Sequence, residues 1–147
     1  MTEPILLICE RTHRWAIAFR LALGEAATVG ETRTIEHAGE RLAARPDLAI
    51  AVDATAFAPE TLLPAIARWS EAGSVVLVLS APALADAELV FREAGAIHVV
   101  YSPRQLGPAV EILRRRQSRL PSRKTNETPE SPFQPRLPWG RFAGLSE

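Results

Sequence analysis

Several side chains able to do chemistry fall where apolar runs of the chain end. Cys9 and Glu10 close the run Ile5–Cys9, Asp53 follows Leu48–Val52, Ser80 follows Val75–Leu79, and Ser102 follows Ile97–Tyr101. A carboxylate in such a place can accept a phosphoryl group or hold a divalent cation. A hydroxyl there can bond an anion or start a turn. Cys9 reads as a small core residue at the end of a buried strand. One cysteine forms no internal disulfide, and with three scattered histidines (His13, His37, His98) it makes no structural zinc site. After the first run stands Glu10-Arg11-Thr12-His13-Arg14. The lack of a Gly-rich loop there argues against a dinucleotide fingerprint or a P-loop. Arg11 and Arg14 read as a solvated helix start rather than an anion site.

The apolar runs alternate with segments of helical period. Ile5–Cys9, Leu48–Val52 and Val75–Leu79 are continuously apolar over strand length, as strands buried on both faces are. They predict the central strands of a sheet. Thr32–Glu36 predicts a more polar strand near an edge, and Ile97–Tyr101 a fifth strand. Between them, helices are predicted over Arg14–Leu23 (stopped by Gly24), Ala38–Ala44 (stopped by Pro46), Pro59–Ala72, Leu84–Glu93 and Gln105–Gln117. Pro64 falls mid-helix unless that helix starts near Thr61 or Leu62. Five strand–helix units in a row demand a doubly wound parallel sheet, right-handed in its crossovers, with its functional crevice beyond the carboxyl ends of the strands.

With those strand ends in that order, residues 4–116 resemble the receiver domains of bacterial response regulators, the CheY-like branch of the flavodoxin-like fold. Ser80-Ala81 and Ser102-Pro103 are the most specific pieces of the match. The resemblance implies strand order 2-1-3-4-5. It also implies a phosphoacceptor at Asp53, acidic Mg²⁺ ligands at positions 9 and 10, a phosphate-bonding hydroxyl at Ser80, a lysine at position 102, and a switch aromatic at position 99. This chain has Cys9 where one acid belongs, Ser102 in place of the lysine, and Val99 in place of the aromatic, with Tyr101 two residues on. A thiol is a poor partner for hard Mg²⁺. Any Mg²⁺ would be held weakly, by Glu10 and Asp53. A phosphoryl group on Asp53 would lack its cationic partner, a pairing worth on the order of a few kcal/mol. Asp53 also reads as an acidic cap at a strand end.

The chain of 147 residues is long enough for one ordinary domain with a real core, and 47% of it is hydrophobic. No apolar run reaches the length of a membrane span, and no signal peptide is evident, so the expected compartment is the cytoplasm. Equal totals of 17 basic and 17 acidic residues exclude strong steering to nucleic acid. The balance hides an asymmetry: residues 1–113 carry a net of −5, and residues 114–147 a net of +5 with five of the 12 prolines. The chain therefore reads as a receiver-like domain, 1–117, followed by a basic, Pro-rich flexible tail, 118–147. Within the tail Phe133, Trp139, Arg141 and Phe142 read as a docking motif, aromatic anchors beside arginines, either for a partner protein or for the acidic surface of the chain's own domain.

The favoured function is a degenerate receiver, not an enzyme. It would serve as a protein-interaction module in a two-component-type pathway and act without phosphorylation. Its partner would be a histidine kinase or an output protein. The alternatives are a genuine single-domain response regulator phosphorylated on Asp53, and a small α/β enzyme.

Overall fold

The computed structural model describes residues 4–24 and 28–119. Strand β1 is Leu6–Cys9, β2 Val29–Thr32, β3 Ala49–Asp53, β4 Val76–Leu79 and β5 His98–Val100. The helices are α1 Arg14–Leu23, α2 Ile35–Ala44, α3 Pro59–Glu71, α4 Glu88–Ala94 and α5 Gly107–Arg119. Short 3₁₀ turns, Pro82–Ala87 and Pro103–Gln105, precede α4 and α5. Contacts divide the chain after Arg114, and of the part beyond it only the end of α5 is described.

The five strands form one sheet in the order β2-β1-β3-β4-β5, and every pairing is parallel. The three most apolar runs are its interior strands. Each of β1, β3 and β4 is buried along its whole length, because helices cover both faces. On one face Trp15, Phe19 and Leu23 of α1 and Leu106, Ala109, Val110 and Leu113 around α5 pack on Leu6, Ile8, Ala51 and Leu77. On the other, Ile35 and Leu42 of α2, Leu62, Ile66 and Trp69 of α3, and Phe91 of α4 pack on Leu7, Ile50, Val52 and Val78. Alternate residues of each strand thus serve opposite layers.

Several boundaries depart from expectation. The edge strand is Val29–Thr32, not Thr32–Glu36. Thr34 instead starts α2, its hydroxyl accepting the His37 N–H at 3.1 Å, so Ile35 and Glu36 are helical. Gly30 belongs in β2 because a Cβ there would lie 3.0 Å from Arg41 Nη2 and 3.4 Å from Leu7 Cδ1. Helix α3 begins at Pro59 and holds Pro64 inside it, past the first turn. The expected helix Leu84–Glu93 starts four residues late, since the chain from Pro82 takes a 3₁₀ path with Leu84 off helical geometry. Helix α5 starts at Gly107 and runs to Arg119. Gly95 ends α4 at φ +130°, and a Cβ there would fall 2.5 Å from Ser70 Cβ, so α4 meets α3 at close quarters.

Candidate functional site

The register brings the expected residues to one edge of the sheet. Cys9 pairs with Val52, Asp53 with Leu79, and Leu79 with Val100. Glu10, Asp53, Ser80 and Ser102 therefore stand at or just past the carboxyl ends of four adjacent strands.

Glu10 is fully buried, and both its oxygens are engaged. Oε1 accepts the N–H of Trp15 at 3.0 Å and Oε2 that of Ala16 at 2.8 Å, with the Thr12 hydroxyl 3.4 Å from Oε1. These N–H groups belong to the first turn of α1, whose N-cap residue His13 makes no side-chain capping bond. Glu10 supplies the acceptors from outside the helix and places a negative charge at the positive end of its dipole.

Cys9 is buried, and its Sγ lies 3.5 Å from the Thr34 carbonyl. Burial pushes the thiol pKa up. The Thr32 hydroxyl beside it works against this, and the nearby Asp53 carboxylate adds to it. A neutral thiol is not a ligand for a hard cation. Asp53, also buried, turns Oδ1 onto its own loop: it accepts the Thr55 N–H at 2.9 Å and the Thr55 hydroxyl at 2.7 Å. Ser102 caps the 3₁₀ turn before α5, its Oγ accepting the Arg104 N–H at 3.2 Å. Ser80 differs. Its backbone N–H donates to Val100 O at 2.7 Å, but its buried Oγ has no protein partner.

Val99 and Tyr101 both face the α2/α3/α4 layer, as their two-residue spacing requires. The Tyr101 hydroxyl donates to Glu88 Oε1 at 2.5 Å, and Arg92 Nε donates to Glu88 Oε2 at 2.8 Å. Arg92 Nη1 also reaches the Ile97 carbonyl at 3.3 Å. The phenol pKa is pushed up to about 12, by burial first and then by the bond to Glu88. The start of α4 is thus tied to the end of β5. His98 is partly buried in the edge strand, and burial lowers its pKa, with Arg92 adding to the effect.

Sequence reasoning missed an ion cluster at the end of β2. Glu31 accepts from Arg20 Nη1 at 2.8 Å and Arg33 Nη2 at 3.1 Å, and His13 Nδ1 lies 2.8 Å away. Burial works to raise the Glu31 pKa, but the bonds from Arg20 and Arg33 outweigh it and the net shift is downward. Arg33 Nη1 also donates to the Glu10 carbonyl at 3.2 Å, which ties the edge strand to the β1 loop. Its sequence signal is the Glu31-Thr32-Arg33 spacing, which the expected strand Thr32–Glu36 obscures. Arg11 lies over the Phe57 ring at 5.5 Å, beside a cleft of about 300 Å³ that Arg33 and Thr61 also line. The docking residues Phe133, Trp139, Arg141 and Phe142 lie outside the described residues.

No protein-family model matches the chain, and no curated protein matches it. Solved structures do. A response regulator from Thermotoga maritima aligns at 22% identity over 80% of this chain and 99% of its own, with a TM-score of 0.66. The receiver domain of NtrC4 from Aquifex aeolicus aligns at 15% over 80% and 98%, with a TM-score of 0.62. A CheY-like protein (tadZ) from Pseudomonas aeruginosa aligns at 14% over 82% and 98%, with a TM-score of 0.59. The fold is that of the CheY-like receivers. No helix among the described residues is long and apolar enough to cross a membrane.

Proposed function

We propose that this chain is a degenerate receiver: a signalling module that works by binding a protein partner and whose strand-end carboxylates no longer run phosphoryl transfer. The observation that carries this reading is Glu10. Both oxygens of the acid that would hold Mg²⁺ are bonded to backbone N–H groups of α1. Cys9 is a buried thiol whose pKa is raised, and among the described residues no three acidic, histidine or cysteine side chains converge as a metal site. The residues at this edge do not fit a hard cation that wants several oxygen ligands. The Asp53 oxygen spent on Thr55 and the Ser102 oxygen spent on Arg104 support the same reading. The likeness of the fold to solved response regulators and receiver domains is consistent with a signalling module.

The test is incubation of the full chain with acetyl phosphate and Mg²⁺, read by intact mass. No phosphoryl adduct is expected on the unmodified chain. Cys9→Asp with Ser102→Lys should raise labelling at Asp53 by restoring an oxygen ligand and a cation. Ready labelling of the unmodified chain at Asp53 overturns the reading and restores the phosphoacceptor alternative. Phe133, Trp139, Arg141 and Phe142 are proposed as a second docking element. Deleting residues 118–147 should then leave the unfolding midpoint unchanged, and a lowered midpoint would place that segment on the domain instead.

A further inference from the structure

Among the described residues, five large apolar side chains are well exposed, and they sort into two patches. Ile17 and Leu21, 55% and 81% exposed, lie one turn apart on α1. Leu89 and Val90 of α4 are 65% and 45% exposed, and Ile97, at the entry to β5, is 45% exposed. The bond from Arg92 to the Ile97 carbonyl sets Ile97 beside α4. Leucine at four-fifths exposure forgoes most of its burial energy, and two adjacent apolar positions on one helix face form a stripe rather than a scatter.

Besides the Arg92–Glu88 ion pair of α4 and the pair that Arg20 of α1 makes with Glu31, the remaining charges around the two patches are opposite in sign. On α1, Arg14 stands three residues before Ile17, exposed and with no ion pair among the described residues. Arg114 of α5 adds a second exposed guanidinium in the same layer. On α4, Glu93 stands one turn after Leu89, and Asp86 precedes the helix; both are exposed and neither is paired among the described residues. The two patches also lie on opposite faces of the sheet. The buried side of α1 packs with α5, and that of α4 packs with α2 and α3. One molecule therefore cannot bring its two patches together. A symmetric contact through either patch would set these remaining charges like against like.

We propose that the chain associates with itself head to tail, the α1 patch of one copy docking on the α4 patch of the next. Such a contact is heterologous: it leaves one patch of each kind open at the ends, so it grows into linear assemblies rather than closing as a dimer. It covers Leu21 and Leu89 and sets Arg14 against Asp86 and Glu93. The proposal stands independently of whether Asp53 is phosphorylated.

Sedimentation equilibrium of the full chain over a wide concentration range tests it. The average mass should climb from 16.1 kDa past that of a dimer without a plateau, and added salt should weaken the association. Leu21→Glu and Leu89→Arg should each weaken self-association by about tenfold or more. An equimolar mixture of the two should form a capped dimer, since each keeps one good patch. Arg14→Glu and Glu93→Arg form an independent pair acting on charge alone: each should weaken association, and both in one chain should restore it. A mass that stays at 16.1 kDa throughout overturns the proposal. So does a single variant that self-associates as well as the parent, which would mean a symmetric contact through the other patch.

Discussion

Replacing Glu10 with alanine separates the two roles its side chain could have. As a cap, Glu10 satisfies two buried N–H groups, those of Trp15 and Ala16, at 3.0 and 2.8 Å. Trp15 and Ala16 are themselves buried, so water does not easily take its place. An unpaired buried donor costs about 1–3 kcal/mol, and loss of a helix cap typically about 1. Glu10→Ala should therefore destabilise the chain by roughly 2–4 kcal/mol, a large part of the roughly 5–15 kcal/mol that holds a domain together. For a chain of this size that is a fall in melting temperature of about 5–15 °C. Glu10→Gln keeps one acceptor oxygen but turns an amide N–H₂ towards the other donor, and should fall between. Thermal and urea unfolding of the full-length variants measure this directly. If Glu10 were instead a cation ligand beside Asp53, its removal would relieve like-charge repulsion, and Mg²⁺ would stabilise the parent but not the variant. A Glu10→Ala midpoint at or above that of the parent, or a clear Mg²⁺-dependent gap, refutes the capping argument.

Three further outcomes follow from the same structure. The chain has one tyrosine, so its phenolate absorbance reports Tyr101 alone; the titration midpoint should lie near 12 and fall towards the ordinary value of about 10 in Glu88→Gln. Because the folded-state pKa is the higher one, the stability this bond supplies is fully present below pH ~10 and is lost as pH rises towards ~12. Gly95→Ala should cost about 2 kcal/mol or more in urea unfolding, since it adds a Cβ 2.5 Å from Ser70 Cβ at φ +130°. Gly39→Ala, with only Trp69 Nε1 at 3.7 Å in the interior of α2, should gain about 0.5–1 kcal/mol. Ser80→Ala removes a buried hydroxyl that has no protein partner, so its midpoint should equal or exceed the parent's. A loss above ~1 kcal/mol would mean that an ordered water or ion satisfies that oxygen.

The interior strands were legible because burial on both faces leaves only apolar residues, a pattern few other environments impose. The edge was not. β2 is Val29-Gly30-Glu31-Thr32, and a glycine and a glutamate erase the strand signal in a segment buried at only two positions. The β-branched Thr32 at its end and Thr34 and Ile35 just beyond resemble a strand, yet the Thr34 hydroxyl is worth more as a cap, and the helix begins there. Pro64 inside α3 shows tertiary packing overriding a local preference: Leu62, Ala65, Ile66 and Trp69 are all buried, and their burial outweighs one missing backbone bond. The Glu10 cap was hidden for another reason. It acts on N–H groups five and six residues ahead, outside the usual capping positions.

The site poses a sharper problem than the fold, because the chemistry and the folding of this sheet ask for the same residue types. In a doubly wound fold each strand ends where a helix or turn must begin, and a beginning helix presents unpaired N–H groups. Oxygen-bearing side chains are favoured there for folding alone. Glu10 serves α1, Asp53 serves its own turn through Thr55, and Ser102 serves the 3₁₀ turn before α5. Three of the four strand-end oxygen groups are thus explained without any reaction. Residue type and spacing could identify the receiver frame, but they could not say whether its acids faced a metal or a helix end. The Glu10 carboxylate turns towards α1, and that direction is what supports the degenerate reading proposed above. Ser80 is the remaining one, its buried hydroxyl unbonded to protein among the described residues, and with Thr32 at the end of β2 it is a position where a ligand or ordered water has something to offer this edge of the sheet.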